Sequence, residues 1–169
     1  MIFKKALKWF TLVEVLISLV ILGILSVVLF KAYVNLMNIS TRIYNEKQLV
    51  QSVDFVFFKV DTLLNAGWVP VKATNWLGFV SGDAFLYLKQ EGSRLLLSGG
   101  KNLYELTSTG EVRINDLNIF YVTWNDDKLL GFGLNIDAQI ERYSSGSWVF
   151  DVQGVFQRYF DVSFRSLIK

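Results

Sequence analysis

A single carboxyl group stands in the most apolar part of the chain. The 21 residues from Phe10 to Phe30 contain one charged side chain, that of Glu14. An acid at the centre of a lipid bilayer costs about 2.5–3.5 kcal/mol of insertion free energy, and less near the surface. The carboxylate of Glu14 therefore needs a partner, water or a proton. A simpler alternative, a glutamate at the membrane interface that reaches the headgroups, stays open.

The residue types exclude most catalytic chemistry. The 169 residues include no cysteine and no histidine, so Ser-His and Cys-His arrangements, thiolate or imidazole metal ligands and disulfides are impossible. The acidic residues show no spacing that singles out a catalytic pair. We predict a protein that is not an enzyme and has no cofactor. Asn125, Asp126 and Asp127 offer oxygen atoms that suit Ca²⁺, but a hairpin turn uses the same residue types, and we expect the turn.

The apolar run has the length of a membrane anchor. Twenty-one helical residues extend over about 31 Å, which matches a bilayer core of about 30 Å. The run is longer than the apolar core of a cleaved secretory signal, which has about 7–15 residues, and no A-x-A pattern follows it. We therefore predict a single-pass anchor that stays in the protein.

The charges around the anchor predict its orientation. Lys4, Lys5 and Lys8 precede it, and residues 1–9 contain no acid, so this end should remain in the cytoplasm. The chain from Lys31 on should then lie across the membrane, outside the cytoplasm. Without those three lysines the formal charge changes from +2 to −1, so we expect no nucleic-acid partner.

A helical pattern continues beyond the anchor. Gly23 is the only glycine before Gly67, and Pro70 is the only proline in the chain, so nothing interrupts the helix up to Leu64. The following apolar residues fall on one helical face, which Ile39 and Ile43 would extend towards the anchor: Val50, Val53, Phe57, Val60 and Leu64. The stretch NAGWVP (65–70) is typical of a helix end.

From Trp76 onwards, apolar residues recur at every second position. Runs such as AFLYLKQ (84–90) and RLLLS (94–98) predict short strands that are separated by turn residues. We expect a strand at 128–136, a hairpin between 139–143 and 148–152, and one or two last strands in 155–168. The predicted fold class is α+β, with an antiparallel sheet covered on one face by the second half of the helix. The predicted segments are a basic leader (1–9), a transmembrane half-helix (10–30), an amphipathic half-helix (31–66) and an antiparallel β domain (67–169).

The segment FTLVEVLISLVILGIL, from Phe10 onwards, resembles the N-terminal signature of type IV pilins and of the pseudopilins of type II secretion. The resemblance implies cleavage between Trp9 and Phe10 by a prepilin peptidase, followed by N-methylation of Phe10. It also implies that Glu14 neutralises the new amine of a neighbouring subunit, because opposite charges attract strongly in a medium of low dielectric constant. A subunit alone in lipid would lack this partner.

Trp9 departs from the family pattern, which has glycine before the cleaved bond. Either the peptidase accepts Trp9, or cleavage is slow, or the chain stays uncut. In an uncut chain Phe10 has no free amine, and Glu14 needs another partner. We expect cleavage.

A second segment, VQSVDFVFFKVDTLLNAGWVP (50–70), resembles the end of the helix in PilW-type minor pilins and their J-type pseudopilin relatives. Asp61 and NAGW (65–68) carry this resemblance. It implies a pilin-like fold and a structural role at the tip of a filament, in motility, adhesion, DNA uptake or secretion. The implied partners are other pilin or pseudopilin subunits, the prepilin peptidase, the inner-membrane assembly platform and lipid. The alternative is a single-pass anchored binding domain that never joins a filament.

Overall fold

The computed structural model describes residues 11–73, 76–100, 102–107, 112–124, 128–144 and 147–162, without the side chains of residues 124, 128, 142–144 and 147–151. The chain divides into two compact units, Met1–Thr41 and Arg42–Lys169. The described part of the first unit is helical. The second unit contains the rest of the helix and all the described strands.

One uninterrupted helix, α1, runs from Leu12 to Asn65 over 54 residues, as the sequence predicts. Its hydroxyl groups do not interrupt it, because Ser18, Ser26 and Thr41 each donate a hydrogen bond to the carbonyl four residues earlier. Every side chain from residue 11 to residue 40 is exposed. The first part of α1 therefore presents apolar side chains that no described residue of its own unit covers.

The predicted helix end is confirmed, and its geometry explains the residues found there. The amide of Gly67 donates to the carbonyl of Leu64 at 3.1 Å, and the amide of Trp68 donates to that of Leu63 at 3.1 Å. This pair of bonds defines a Schellman motif, which needs a left-handed residue at its centre. Gly67 has a φ of 87°, a conformation that residues with a Cβ atom rarely adopt. The sequence NAGW is thus sufficiently explained by helix capping.

The buried face of α1 differs in part from the predicted stripe. Val53, Phe57, Val60 and Leu64 are buried, as predicted, whereas Val50 is 43% exposed. The extension to Ile39 and Ile43 is also wrong, since both are more than half exposed. The buried face instead includes Leu49 and Asn45. The buried residues 45, 49, 53, 56, 57, 60 and 64 share one face of the helix, and residue 50 lies just outside the edge of that face.

The β domain contains two antiparallel sheets, where the sequence analysis predicts one. The first sheet contains the five strands between Val69 and Glu105, and the second contains the three strands between Val112 and Asp161, with neighbouring strands following chain order in both. Alternation of apolar residues predicts strands but does not specify which strands pair, so it could not reveal the division. The strands are β1 (Val69–Lys72), β2 (Trp76–Ser81), β3 (Ala84–Glu91), β4 (Arg94–Gly99), β5 (Asn102–Glu105), β6 (Val112–Trp124), β7 (Lys128–Ser144) and β8 (Ser147–Asp161).

The strands of the second sheet are longer than predicted. Residues 128–136 and 139–143 belong to one strand, β7, and residues 148–152 join the following segment in β8, which ends at Asp161. The predicted hairpin between them is confirmed by the pairing of Ser144 with Ser147. A register shift between Ile140 and Glu141 keeps the ladder continuous where the apolar alternation breaks. Residues 163–168 of the predicted last strand lie outside the described residues.

Four phenylalanines form a chain of ring contacts that links α1 to both sheets. Phe79 of the first sheet packs edge-on against Phe132 of the second, with ring centroids 6.4 Å apart. Phe132 stacks on Phe160 of β8 at 5.0 Å, and Phe160 contacts Phe57 of α1 at 6.3 Å. All four are at most 4% exposed. The part of α1 inside this unit therefore shares a core with both sheets.

Tyr121 connects the two sheets through a polar contact. Its hydroxyl donates to the carbonyl of Trp76 at 3.1 Å and accepts from the amide of Ala73 at 3.4 Å. Burial of this hydroxyl raises the pKa of Tyr121 above its ordinary value, since the phenolate would lose its hydration. The connection between β1 and β2 is thereby attached to β6.

Tyr121→Phe should lower the free energy of unfolding of the full chain in detergent micelles by about 1 kcal/mol, because both hydrogen bonds disappear. Thermal and urea unfolding followed by near-ultraviolet circular dichroism would measure the change. Tyr104→Phe is the matched control, since Tyr104 is 54% exposed. A raised pKa means that the hydroxyl's contribution is complete below about pH 10 and is lost as the pH rises through the raised value. Equal stabilities of the two variants would contradict this role of Tyr121.

Candidate functional site

The N-terminus of α1 is closed by a reciprocal pair of hydrogen bonds between Thr11 and Glu14. The amide of Thr11 donates to Oε2 of Glu14 at 2.9 Å, and the Thr11 hydroxyl donates to the same oxygen at 3.0 Å. The amide of Glu14 in turn donates to Oγ1 of Thr11 at 3.3 Å. Thr11 is the residue just before α1, and Glu14 is the third residue within it. This arrangement is a capping box, which satisfies two amide groups that a helix start leaves without partners.

The capping box gives Glu14 a partner within its own chain that the sequence analysis did not identify, since Thr11 supplies two hydrogen-bond donors to the carboxylate. The expectation that a subunit alone lacks the amine of a neighbour is not tested by these bonds. The hydrogen bonds lower the cost of placing the group in lipid, but they leave its charge in place. Across residues 11–162, as far as they are described, no cationic side chain lies within ion-pair distance of Glu14. The hydrogen bonding of Glu14 is thus satisfied by Thr11, whereas its charge is neutralised by no residue that the structure describes.

The processing residues cannot be located in the structure. Trp9 and Phe10 lie outside the described residues. Cleavage between them, and methylation of Phe10, stay predictions. The assembly role of Glu14 stays a prediction for the same reason, because the amine that it would neutralise belongs to Phe10 of another chain.

The helix that carries Glu14 is a candidate membrane anchor. Of the described residues, α1 is the one helix long and apolar enough to span a bilayer, with a mean hydropathy of 2.9 over its most apolar window and none of that window buried. Glu14 lies near the start of this span. A single-pass membrane protein is consistent with this arrangement.

Thr11→Ala should weaken the start of α1 without affecting the rest of the helix. Loss of a threonine cap costs about 1 kcal/mol, so hydrogen exchange at the amides of residues 12–15 should become roughly five times faster. Exchange in detergent micelles, read by nuclear magnetic resonance, would measure this. Thr41→Ala removes a hydroxyl from the middle of the helix and should leave the first turn unchanged. Unchanged exchange in Thr11→Ala would show that the cap does not form in micelles.

Asp61, the acidic residue of the second resemblance, has a defined partner. Its Oδ2 lies 2.6 Å from Nη2 of Arg158 on β8. The guanidinium of Arg158 also lies over the rings of Phe57 and Phe160, at 5.9 and 5.5 Å from their centroids. The two charged side chains are 34% and 47% exposed, so the ion pair adds modest stability and fixes β8 against α1.

The predicted calcium site cannot be checked at its own residues. The candidate calcium turn, 125–127, lies outside the described residues. No group of three or more acidic side chains close enough to hold a metal ion occurs in the part of the chain that is described.

Sequence reasoning missed Arg158 and the capping role of Thr11. The T-x-x-E spacing of residues 11–14 is a readable capping signal, whereas nothing in the sequence pairs residue 158 with residue 61.

No family model, curated protein or solved structure matches this chain. The class of protein can therefore be described only from the geometry of this chain. The fold and site define a protein with one N-terminal apolar helix, a candidate anchor, followed by two antiparallel sheets.

Proposed function

We propose that this chain is a minor pilin or pseudopilin, a non-catalytic subunit that helps to initiate or cap a filament like a type IV pilus. The observation that carries the proposal is the carboxylate of Glu14 within an exposed apolar helix, with no cationic side chain in ion-pair contact with it among the described residues. Thr11 satisfies the hydrogen bonding of this carboxylate, and a cation from a neighbouring chain would satisfy its charge. The site residues are Trp9 and Phe10 for processing and Glu14 for assembly.

The exposed part of α1 supports the same proposal. The side chains of residues 11–40 have no contact within their own unit that covers them. Lipid can cover them in a membrane, and only the helices of other subunits can cover them once a subunit leaves the membrane for a filament. The resulting low-dielectric environment would strengthen the attraction between Glu14 and an amine.

The proposed partners and location follow from this mechanism. The subunit would be anchored in the inner membrane with its β domain outside the cytoplasm. A prepilin peptidase would cleave it there, and an inner-membrane assembly platform would then transfer it into the filament. Other pilin or pseudopilin subunits would contact it through α1. Motility, adhesion, DNA uptake and secretion remain equally compatible with this mechanism.

The N-terminal mass of the protein isolated from membranes tests the proposal. We expect a chain that begins with N-methylated Phe10. A chain that begins with Met1 would contradict processing and would leave no amine at Phe10 for Glu14 of a neighbour. A second sample from a strain that lacks prepilin peptidase serves as the control, and it should begin with Met1.

The capping box favours a second candidate, an anchored binding domain outside the cytoplasm that joins no filament. In that protein Glu14 would act only as a helix cap, a role that needs no neighbour. Trp9 would then keep the chain uncut. The N-terminal mass distinguishes the two candidates directly.

A further inference from the structure

Two aromatic rings lie over the central strand on the outward face of the three-stranded sheet. The register places Phe120, Gly133 and Tyr159 in one row across β6, β7 and β8. A Cβ atom on Gly133 would overlap Cζ of Phe120, and one on Gly131 would overlap the hydroxyl of Tyr159. Both rings therefore extend sideways over β7, although Phe120 stays 39% and Tyr159 50% exposed. They form an open apolar surface that depends on the two glycines.

The next row on the same side consists of three amide side chains. Asn118, Asn135 and Gln157 face one another in register, each two residues from the ring row along its own strand. Because side chains alternate along a strand, these amides lie on the same side as the rings. Among the described residues, none forms a side-chain hydrogen bond with any of the three. We call the set Phe120, Tyr159, Asn118, Asn135 and Gln157 the amide–aromatic face.

The amide of Asn135 shows that this lack of partners is not only a matter of exposure. Its Oδ1 atom is enclosed by the protein, and it has no hydrogen-bond partner among the described residues. Enclosed polar atoms are nearly always hydrogen-bonded in proteins, and an exception indicates a group that the protein itself does not supply. Because the side chain of Asn135 forms no hydrogen bond with the described residues, it can turn towards a ligand without losing one.

Polar side chains farther along the same sheet satisfy one another. Asn115 donates to Oε1 of Gln139 at 2.8 Å, and Gln139 donates to Oε1 of Glu141 at 2.9 Å. Gln153 donates to Oδ1 of Asp137 at 3.1 Å. The sheet thus pairs its polar side chains in that region, whereas no described residue pairs with the amides beside the rings. The contrast indicates that the amides beside the rings serve something other than the fold.

Apolar rings beside unpaired amides combine the two chemical features that bind a sugar. The C–H groups on one face of a pyranose pack against an aromatic ring, and its hydroxyl groups project from the edge. An amide offers both donors and an acceptor, so it can bond to a hydroxyl in either direction. An entirely apolar ligand would bury the amides without partners, and a purely polar one would make no use of the rings.

The charges on this side of the sheet disfavour an anionic ligand. Asp116, Asp137 and Asp161 lie on the same side as the amides. Among the described side chains there, the one cation is Arg113, and it pairs with Glu141 at 2.9 Å. A phosphate, a nucleic acid or an acidic glycan would be repelled, whereas an uncharged sugar would not.

The size of the amide–aromatic face suits a short oligosaccharide. Three strands about 4.8 Å apart, with rows about 7 Å apart, give it a footprint of roughly 100 Å². A stable interface between two proteins needs about 800 Å² on each partner. A second protein is therefore the poorer candidate for this face.

We propose that the amide–aromatic face binds an uncharged oligosaccharide. One sugar packs on Phe120 and Tyr159, and its hydroxyl groups, or those of the next sugar, bond to the row of amides. The inference goes beyond the proposed function and does not depend on it, because the β domain is the same in a filament subunit and in an anchored binding domain.

Binding of the full chain to immobilised oligosaccharides tests the proposal. The array would carry uncharged hexose and N-acetylhexosamine oligosaccharides beside sialylated and sulfated ones. The chain would be kept in phosphocholine micelles, since maltoside detergents carry a sugar of their own. We expect binding to at least one uncharged oligosaccharide, in preference to the acidic ones. No binding to any uncharged oligosaccharide, or a preference for the acidic ones, would overturn the proposal.

Two exposed side chains of the face should contribute much of the affinity. In calorimetric titrations with the uncharged oligosaccharide that binds best, the Kd should be about ten times higher for Tyr159→Ala, which removes a ring. It should be about five times higher for Gln157→Ala, which removes an amide. Tyr104→Ala and Gln51→Ala are the matched controls, since both residues are exposed on other surfaces, and they should bind like the parent.

The glutamine pair separates binding from folding. Gln157→Ala removes no hydrogen bond between described residues, so it should keep the melting temperature of the parent, which circular dichroism would check. Equal affinities of Gln157→Ala and Gln51→Ala would overturn the proposal.

A second copy of the chain at this face would give a different result, which also overturns the proposal. Tyr159→Ala would then lower the particle mass in sedimentation, and no sugar would bind. The N-terminal mass is independent of all these outcomes, so failure of this proposal and failure of the proposed function can be told apart.

Discussion

Glu14→Gln should abolish assembly while it leaves the anchor and the helix cap intact. Glutamine can take the place of glutamate in a capping box, so the hydrogen bonds with Thr11 should persist. The negative charge is lost, and with it the attraction to the amine of a neighbour. At 4 Å and an effective dielectric constant of 20 that attraction is about 4 kcal/mol. We expect a net loss near 3 kcal/mol, or roughly a 100-fold drop in assembled protein.

Three variants separate the two roles of Glu14. Thr11→Ala removes the partner in the cap and keeps the charge, Glu14→Gln keeps the cap and removes the charge, and Glu14→Ala removes both. Assembled protein would be measured in sheared filaments and in cross-linked membrane complexes, and anchoring by membrane fractionation. Thr11→Ala should assemble like the parent, whereas both Glu14 variants should not.

The opposite pattern would contradict the mechanism. If Glu14→Gln assembles normally and Thr11→Ala does not, then Glu14 acts through the helix start alone. If all three variants fractionate and assemble like the parent, assembly does not depend on the charge of Glu14 and the proposed mechanism is wrong. If the parent itself does not assemble, the anchored binding domain becomes the better explanation. Loss of membrane anchoring in Glu14→Gln would show that the carboxylate has a different role in insertion.

Phe132→Ala should produce the largest loss of stability in the β domain. Phe132 is fully buried and lies between Phe79 of the first sheet and Phe160 of the second. Truncation of a buried phenylalanine costs about 3–5 kcal/mol, and the two ring contacts fall within that loss. For a domain of this size we expect a melting temperature lower by roughly 10–20 °C.

Phe58→Ala is the matched control for this prediction. Phe58 lies on α1 and is 61% exposed, so its truncation should change the free energy of unfolding by less than about 1 kcal/mol. Both variants would be unfolded by heat as full chains in micelles, with near-ultraviolet circular dichroism as the readout. A similar small effect of both substitutions would show that Phe132 does not hold the two sheets together.

The helix illustrates what local sequence can determine. A run without proline, and with only Gly23 before Gly67, specifies one continuous helix, since each residue of α1 bonds to a residue four positions away. The end of the helix can be predicted from the sequence for the same reason, because its hydrogen bonds also join residues that are close in the chain. The amides of Gly67 and Trp68 donate to the carbonyls of Leu64 and Leu63. The T-x-x-E spacing at the helix start is equally local, and the cap could have been predicted from it.

The buried face of α1 was only partly predictable. The period of the apolar residues indicates a stripe, but Val50 is as apolar as its neighbours and still lies outside the core. Which of several apolar residues is buried depends on where the sheets meet the helix. Val56 and Leu49 are buried for the same reason, although the predicted stripe did not include them.

By itself, the sequence determined the candidate anchor, the continuous helix, the antiparallel strands and the candidate role of Glu14, because each depends on residue type or on spacing along a few turns. Only the tertiary structure decided that the strands form two sheets, that Phe79, Phe132, Phe160 and Phe57 meet, and that Arg158 pairs with Asp61. Those contacts join residues far apart in the chain. Their formation depends on strand pairing and on shape complementarity in the core, which no short stretch of sequence encodes.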